Sequence, residues 1–346
     1  MTHTTEHPFP FSALAGQQDL QTALVLSAID PMIGGVLIEG PRGTAKSTAA
    51  RGLADLVEAS TFINLPLTTS EEQLIGSLNI ESALQAGKVE FKPGLLAAAH
   101  EGVLYVDEVN LLADHLVDAL LDVSASGINR IEHDGISHQH PARFVLIGTM
   151  NPEEGQLRPQ LLDRFGLYVQ LPQSIDPSTR QHIVKARLAF DNNPQHFIAR
   201  FARQQQALKK RLQQARENLH AIELHDAVIN TVAEICHQAN VEGMRADLSL
   251  LRAARAHAAW QAHTEISDAD IEAVTAWVLT HRQQQTGPPA KPSPPASQPP
   301  DVSEHHELNV DNSQQQHFGA MPPQSPQVES SEVAAITNLK PLSGKK

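Results

Sequence analysis

Gly40-Pro41-Arg42-Gly43-Thr44-Ala45-Lys46-Ser47 has the residue types and spacing to cradle a phosphate chain. An apolar run, Val36–Glu39, leads into it and a helical pattern follows. In that strand–loop–helix setting the backbone N–H groups at the helix N-terminus face phosphate oxygens, and the helix dipole adds positive potential. Gly40, Gly43, Thr44, Ala45 and Thr48 are therefore assigned to the nucleotide. Lys46 would reach the β- and γ-phosphates of ATP, and the Ser47 hydroxyl would ligate Mg²⁺. The pattern G-x-x-x-x-G-K-[ST] is broken once, because Ala45 stands where the last Gly belongs. That position is expected to open the helix, where an Ala backbone is comfortable and only the methyl group threatens the phosphates. Read alone, the segment is also a Gly-rich turn before an ordinary helix.

Two further segments end apolar runs with polar side chains. Val103-Leu104-Tyr105-Val106 runs into Asp107 and Glu108, which suit a magnesium shell and the polarisation of an attacking water, respectively. Phe144–Thr149 leads to Met150-Asn151-Pro152, where Asn151 would orient that water against the γ-phosphate. Taken singly, these are an acidic turn and a turn starter. Their order along the chain makes one phosphate site the better reading. Arg164, at the end of Gln160–Phe165, has the placement of an arginine finger presented to the next subunit of a ring. Arg245, opening the helix Ala246–Ala259, is expected to reach the γ-phosphate from a helical domain. The plain alternatives are a surface Arg164–Asp163 pair and an ordinary surface arginine.

These residues need a scaffold, and the patterning supplies one. Runs at Val36–Glu39, Phe62–Leu65, Val103–Val106, Phe144–Thr149 and Leu167–Leu171 alternate with amphipathic segments such as Leu53, Leu56, Val57 and Leu116, Val117, Leu120, Leu121. That alternation predicts an α/β fold with a parallel sheet covered on both faces, over residues 1–175. Residues 176–282 read as all-helical. Asp176-Pro177 is a capped start, and Ser267 with Asp270 resembles a capping box. From Gln283 to Lys346 the chain carries 11 of its 23 prolines, glutamine runs and no Arg, a composition expected to stay disordered.

Composition narrows the class. The chain is 41% hydrophobic but only 4% aromatic, so an aliphatic core is expected. A net charge of −13 argues against binding along a nucleic acid. The single Cys236 excludes an internal disulfide or a Cys-based metal site. No 18-residue apolar stretch occurs, and the polar, His-rich start is unlike a leader, so a soluble cytoplasmic protein is expected. Eighteen histidines, including His138, His140, His305 and His306, show no helical ligand spacing and read as solvated loop residues.

From about Phe9 to Arg282 the chain resembles the I subunit of magnesium chelatase, an AAA+ ATPase family related to cobalt-chelatase ATPases. The resemblance rests on Tyr105-Val106-Asp107-Glu108-Val109-Asn110-Leu111-Leu112, Glu132-His133-Asp134-Gly135-Ile136-Ser137, His140-Pro141-Ala142-Arg143-Phe144 and Asn151-Pro152-Glu153-Glu154-Gly155. It implies a five-stranded AAA+ sheet with MgATP at Lys46, Ser47, Asp107 and Glu108. Asn151 takes the sensor-1 position, Arg164 the finger and Arg245 the sensor-2 arginine. It also implies hairpin insertions near 66–93 and 128–142, the second turning at Asp134-Gly135. The expected partners are copies of itself in a ring, six by family expectation, a D-type or von Willebrand A-domain subunit, and a large catalytic chelatase subunit. The implied work is insertion of Mg²⁺ or Co²⁺ into a tetrapyrrole.

Ala45 and the Pro-rich tail, with Phe318-Gly319-Ala320-Met321-Pro322-Pro323, instead resemble the D-type partner. The tail is expected to dock a separate A-domain subunit. Two other readings stay open: a MoxR-like chaperone for A-domain proteins, and a D-like ATP-binding scaffold without turnover.

Overall fold

A computed structural model describes residues 8–57, 61–79, 90–133 and 136–283. The tail readings, His305, His306 and the Asp134-Gly135 turn lie outside the described residues.

Five short strands form one parallel sheet: β1 (Val36–Glu39), β2 (Phe62–Leu65), β5 (Val103–Val106), β8 (Val145–Met150) and β9 (Leu167–Gln170). Their order is β2-β5-β8-β1-β9. In register, Glu39 lies opposite Met150 and Val106 opposite Gly148, so the strands end on one edge. The continuous apolar runs have a physical reason, since both sheet faces are buried. Val36, Ile38, Tyr105 and Ile147 point into one core, whereas Leu37, Leu104, Val106 and Leu146 point into the other.

Helix α1 (Gln18–Ile29) and helix α2 (Lys46–Leu56) fill the first face. Leu53 and Leu56 are buried there, as the amphipathic spacing predicts, together with Leu20 and Leu24. Short helices α3 (Glu71–Ile75) and α4 (Leu95–Ala98) and the longer α5 (Asp114–Ser126) close the second face, with Leu116, Val117, Leu120 and Leu121 inward. The one-turn α6 (Pro159–Leu162) precedes β9.

Both insertions contain antiparallel hairpins. Strand β3 (Gly76–Asn79) pairs with β4 (Glu90–Pro93), and β6 (Ile128–His133) with β7 (Ile136–Pro141). Gly76 and Gly94 cross so tightly that a Cβ on Gly94 would lie 2.4 Å from the Gly76 nitrogen. His138 and His140 are not simply solvated. The Phe91 ring stacks on His138 at 4.3 Å, and Asn129 Nδ2 contacts His140 Nε2 at 3.0 Å. Asn129 Nδ2 also donates to the Ile75 carbonyl, which ties the second hairpin to the end of α3.

Residues after β9 are helical: α7 (Pro177–Asn192), α8 (Pro194–Asn218), α9 (Asp226–Gln238), α10 (Arg245–Trp260) and α11 (Asp268–Gln283). Asp176 Oδ1 accepts from the Ser178 and Thr179 N–H groups, which is the predicted cap. Ser267 and Asp270 exchange bonds as a capping box does, the Ser267 N–H donating to Asp270 Oδ2 at 2.9 Å. Helix α10 buries Ala246, Ala253, Ala254, Ala256, Ala258 and Ala259, and their small side chains let it approach its neighbours closely. It packs on α1, while α11 packs on α10 and β9, so the helices share the core of the first sheet face. Among the described residues, no helix is long and apolar enough to cross a membrane.

Candidate active site

The sheet's carboxyl edge carries the three polar segments to one cavity of about 710 Å³. Its lining includes Arg42 through Thr48, Asp107, Glu108 and Asn151. Such crevices at strand ends are where open α/β sheets bind ligands.

The phosphate end is built from backbone. Helix α2 starts at Lys46 with Ala45 as its N-cap residue, and no described side chain caps it. The first-turn N–H groups therefore face the cavity with their positive potential uncompensated. Gly43 holds φ +77°, and an added Cβ there would meet nothing within 4 Å, so an anion has room against the loop. Lys46 Nζ reaches the Gly40 carbonyl and lies 3.3 Å from the Pro41 carbonyl. Burial lowers its pKa, opposed by the carboxylates of Asp107, Glu108 and Glu39. This donor set fits a polyphosphate.

Ala45 is where the sequence expectation fails. It does not open the helix in a helical conformation but sits in the left-handed region at φ 60°, ψ 25°. An L-residue there costs roughly 1–2 kcal/mol relative to the right-handed region. The missing glycine is thus felt first in the backbone and only second through the methyl group.

At the opposite wall, one buried hydroxyl organises both acidic residues. Thr149 Oγ1 donates to Asp107 Oδ1 at 2.7 Å and accepts from the Glu108 N–H at 3.1 Å. The Tyr105 hydroxyl also donates to Asp107 Oδ1, at 2.9 Å. Burial, with Asp107 alongside, pushes the Tyr105 phenol well above its usual range, so it remains a donor. The Asp107 carboxylate is exposed toward the cavity and suits a hard divalent cation held with a phosphate. Glu108 adopts a left-handed backbone at φ 54°, ψ 53°, a kind of strain that recurs at functional sites. Arg42 spans the mouth, pairing with Glu154 and lying 3.5 Å from Glu108 Oε1. Asn151 is 4% exposed, and its Oδ1 accepts from the Glu153 N–H at 3.3 Å.

The other end of the cavity is apolar. Phe9, Ala13 and Leu14 come from the N-terminal segment, and Ile175, Ile183 and Ala186 from the start of the helical region. Phe9 packs on Phe190 and Phe197 with ring centroids 5.2 Å apart, fixing that segment to α7 and α8. Gln17 Nε2 donates to the Thr44 carbonyl, tying the same segment to the loop. A flat heteroaromatic base fits this end.

Arg164 and Arg245 do not line this cavity. Arg164 pairs with Asp118 and Asp122, one turn apart on α5, while Asp114 on the same face holds Arg158 at 2.7 Å. Arg245 Nη1 lies 3.1 Å from Asp163 Oδ2, beside Arg164. Where Arg245 was expected to reach the γ-phosphate from the helical domain, the docking of α10 on α1 carries it away from this chain's cavity to the Arg164 side.

A phosphate cradle, paired carboxylates and a strand-end Asn on a β2-β5-β8-β1-β9 sheet define a P-loop ATPase of the AAA+ class, which uses MgATP. Consistently, residues 35–165 match the AAA domain of the dynein-related subfamily, and residues 229–304 match the AAA lid domain. The chain belongs to the family of the magnesium-chelatase subunit ChlI. It is 44% identical over 299 residues to that protein of Olisthodiscus luteus, covering 79% of this chain and 90% of the relative. An uncharacterized protein of Mycobacterium tuberculosis is 49% identical over 284 residues, which cover 80% of this chain. The match spans only 45% of that mycobacterial protein. A solved structure from Cytophaga hutchinsonii is 18% identical with a TM-score of 0.56, covering 78% of this chain and 83% of its own, a likeness of fold.

Sequence reasoning missed Thr149, Tyr105, Arg42 and the Phe9–Gln17 segment. Thr149 and Tyr105 had a weak signal, as polar or half-polar residues inside otherwise apolar strands. Phe9 had none, because its role depends on helices far along the chain.

Proposed function

We propose that this chain is the ATP-hydrolysing motor of a metal chelatase, acting as a cytoplasmic ring on a partner subunit that inserts Mg²⁺ or Co²⁺ into a tetrapyrrole. The observation that carries the reading is the division of the polar residues between two places. Lys46, Ser47, Asp107, Glu108 and Asn151 surround one cavity, whereas Arg164 stands apart from it. The cavity holds phosphate donors, a water-polarising carboxylate and the cations Lys46 and Arg42, and in this reading Arg164 of another copy adds positive charge for the transition state. In this reading Ser47 and Asp107 hold Mg²⁺, Glu108 polarises the attacking water, and Asn151 orients it. Gly40, Gly43, Thr44, Ala45 and Thr48 wrap the phosphates. Arg164, with Arg245 beside it, acts on the ATP of the neighbouring copy.

The likeness to magnesium-chelatase subunits supports metal insertion, and a protein that works as one subunit of a chelatase favours partners of the D and catalytic types. Nothing favours the chaperone reading. The test is reconstitution with a D-type and a catalytic chelatase subunit, following the tetrapyrrole absorption spectrum under Mg²⁺ and, separately, Co²⁺. ATP-dependent insertion that disappears with Glu108→Gln supports the motor. Insertion that ignores ATP, or no insertion with either metal despite turnover, counts against it.

A further inference from the structure

In the segment Asp163–Gly166, which carries Arg164, the N–H groups of Asp163, Arg164 and Phe165 bond to the Pro159, Leu161 and Leu162 carbonyls. Gly166 N–H bonds to Gly34, but the carbonyls of Asp163 and Phe165 point instead to the end of α11. There the Arg282 guanidinium, 3% exposed, forms a fan of contacts. Nη2 donates to the Asp163 carbonyl at 2.8 Å and to the Phe165 carbonyl at 2.9 Å. Nη1 reaches the carbonyls of Val278 and Gly166, and Nε donates to Asp163 Oδ1 at 3.2 Å. The neighbouring His281 is wholly buried, and its Nε2 adds a bond to the Phe165 carbonyl at 3.1 Å. Asp163 Oδ2 takes Arg245. The residues on each side of Arg164 are thus gripped by α11, while its own guanidinium rests on the exposed Asp118 and Asp122.

We propose that Arg282 is a positioning residue for the finger: it fixes the backbone on both sides of Arg164 and ties the finger's direction to the seating of α11. The chemistry favours this over a merely space-filling role. Only a planar fork with several donors satisfies carbonyls and a carboxylate at once, and a lysine ammonium does not reproduce that fan. A misplacement of about 1 Å at a group acting on a transition state costs on the order of 100-fold in rate. The inference rests on the reading that Arg164 works on a neighbouring copy.

The experiment uses the full chain carrying Arg282→Lys, alone and mixed with Glu108→Gln chains, with Arg164→Ala mixed in the same way. The Arg282→Lys protein should melt cooperatively and bind a fluorescent ATP analogue as the parent does. Its MgATP turnover alone should fall on the order of 100-fold. Turnover should return on mixing, because Glu108→Gln chains carry intact finger segments that face the variant's complete ATP sites. A defect confined to folding or to nucleotide binding is not rescued this way. Parent-like turnover, lost analogue binding, or no recovery where Arg164→Ala chains do recover would overturn the role of Arg282 alone. Failure of both mixtures overturns the shared-site reading and this role with it. If Arg282→Lys does not fold, Asp163→Asn loosens the same grip while keeping the carbonyl bonds. It should show the same pattern more weakly, and parent-like turnover from it would contradict the proposal.

Discussion

Ala45 and Glu108 face one cavity from opposite walls, and both hold left-handed backbone. At Ala45 the strain has an obvious relief. Ala45→Gly should raise stability by about 0.5–1 kcal/mol, read as a higher melting temperature, and should not lower MgATP turnover. A lower melting temperature would show that the loop does not hold this conformation. Thr149 makes a second test. Thr149→Val leaves the Glu108 N–H without its acceptor and removes one donor from Asp107, which keeps Tyr105, an expected cost of about 1–3 kcal/mol in a thermal melt, with reduced turnover. At this scale the sequence was informative wherever a motif dictates the residue. Lys46, Ser47, Asp107, Glu108 and Asn151 reach one cavity as expected. What it concealed was conformation, since a motif shows that Gly is replaced but not that the position needs positive φ.

Elements were legible to the extent that periodicity defines them. The strand limits agree to within a residue, because burial on both sheet faces leaves a continuous apolar run with polar residues at its end. The caps at Asp176 and Ser267 were equally readable. The place where α10 and α11 dock was not, and that docking decides which site Arg245 faces. It rests on alanine contacts and buried bonds to residues more than a hundred positions away. One of these gives a pH test. Burial, helped by the charge on Arg282, depresses the His281 pKa from 6.5 to about 3, so the folded chain keeps it neutral. The unfolded chain protonates it first as pH falls, so stability is present above about pH 6.5 and declines toward pH 3. Between about pH 6 and 4.5, above most carboxylate titrations, the expected slope is about 1.4 kcal/mol per pH unit. His281→Gln keeps a donor to the Phe165 carbonyl and should flatten that slope in denaturant titrations. An unchanged slope would mean His281 is not held neutral.

The whole molecule presents its phosphate cavity and Arg164 in different places, and in the proposed reading of Arg164 as a finger this separation makes oligomerisation part of the chemistry. Glu108→Gln should bind ATP yet lose roughly 100- to 10,000-fold in turnover. Arg164→Ala should bind ATP equally well and lose roughly 1,000-fold or more. On that reading a lone copy has no finger for its own ATP, so specific activity of the parent chain should rise with protein concentration. The most direct measurement mixes the two silent variants. Equimolar Glu108→Gln and Arg164→Ala chains should recover MgATP hydrolysis that neither shows alone. The Arg164→Ala copies keep a complete cavity, and the Glu108→Gln copies keep the finger. If the mixture stays silent while both variants bind ATP and assemble, or if Arg164→Ala alone matches the parent, the ATP site is not shared between copies.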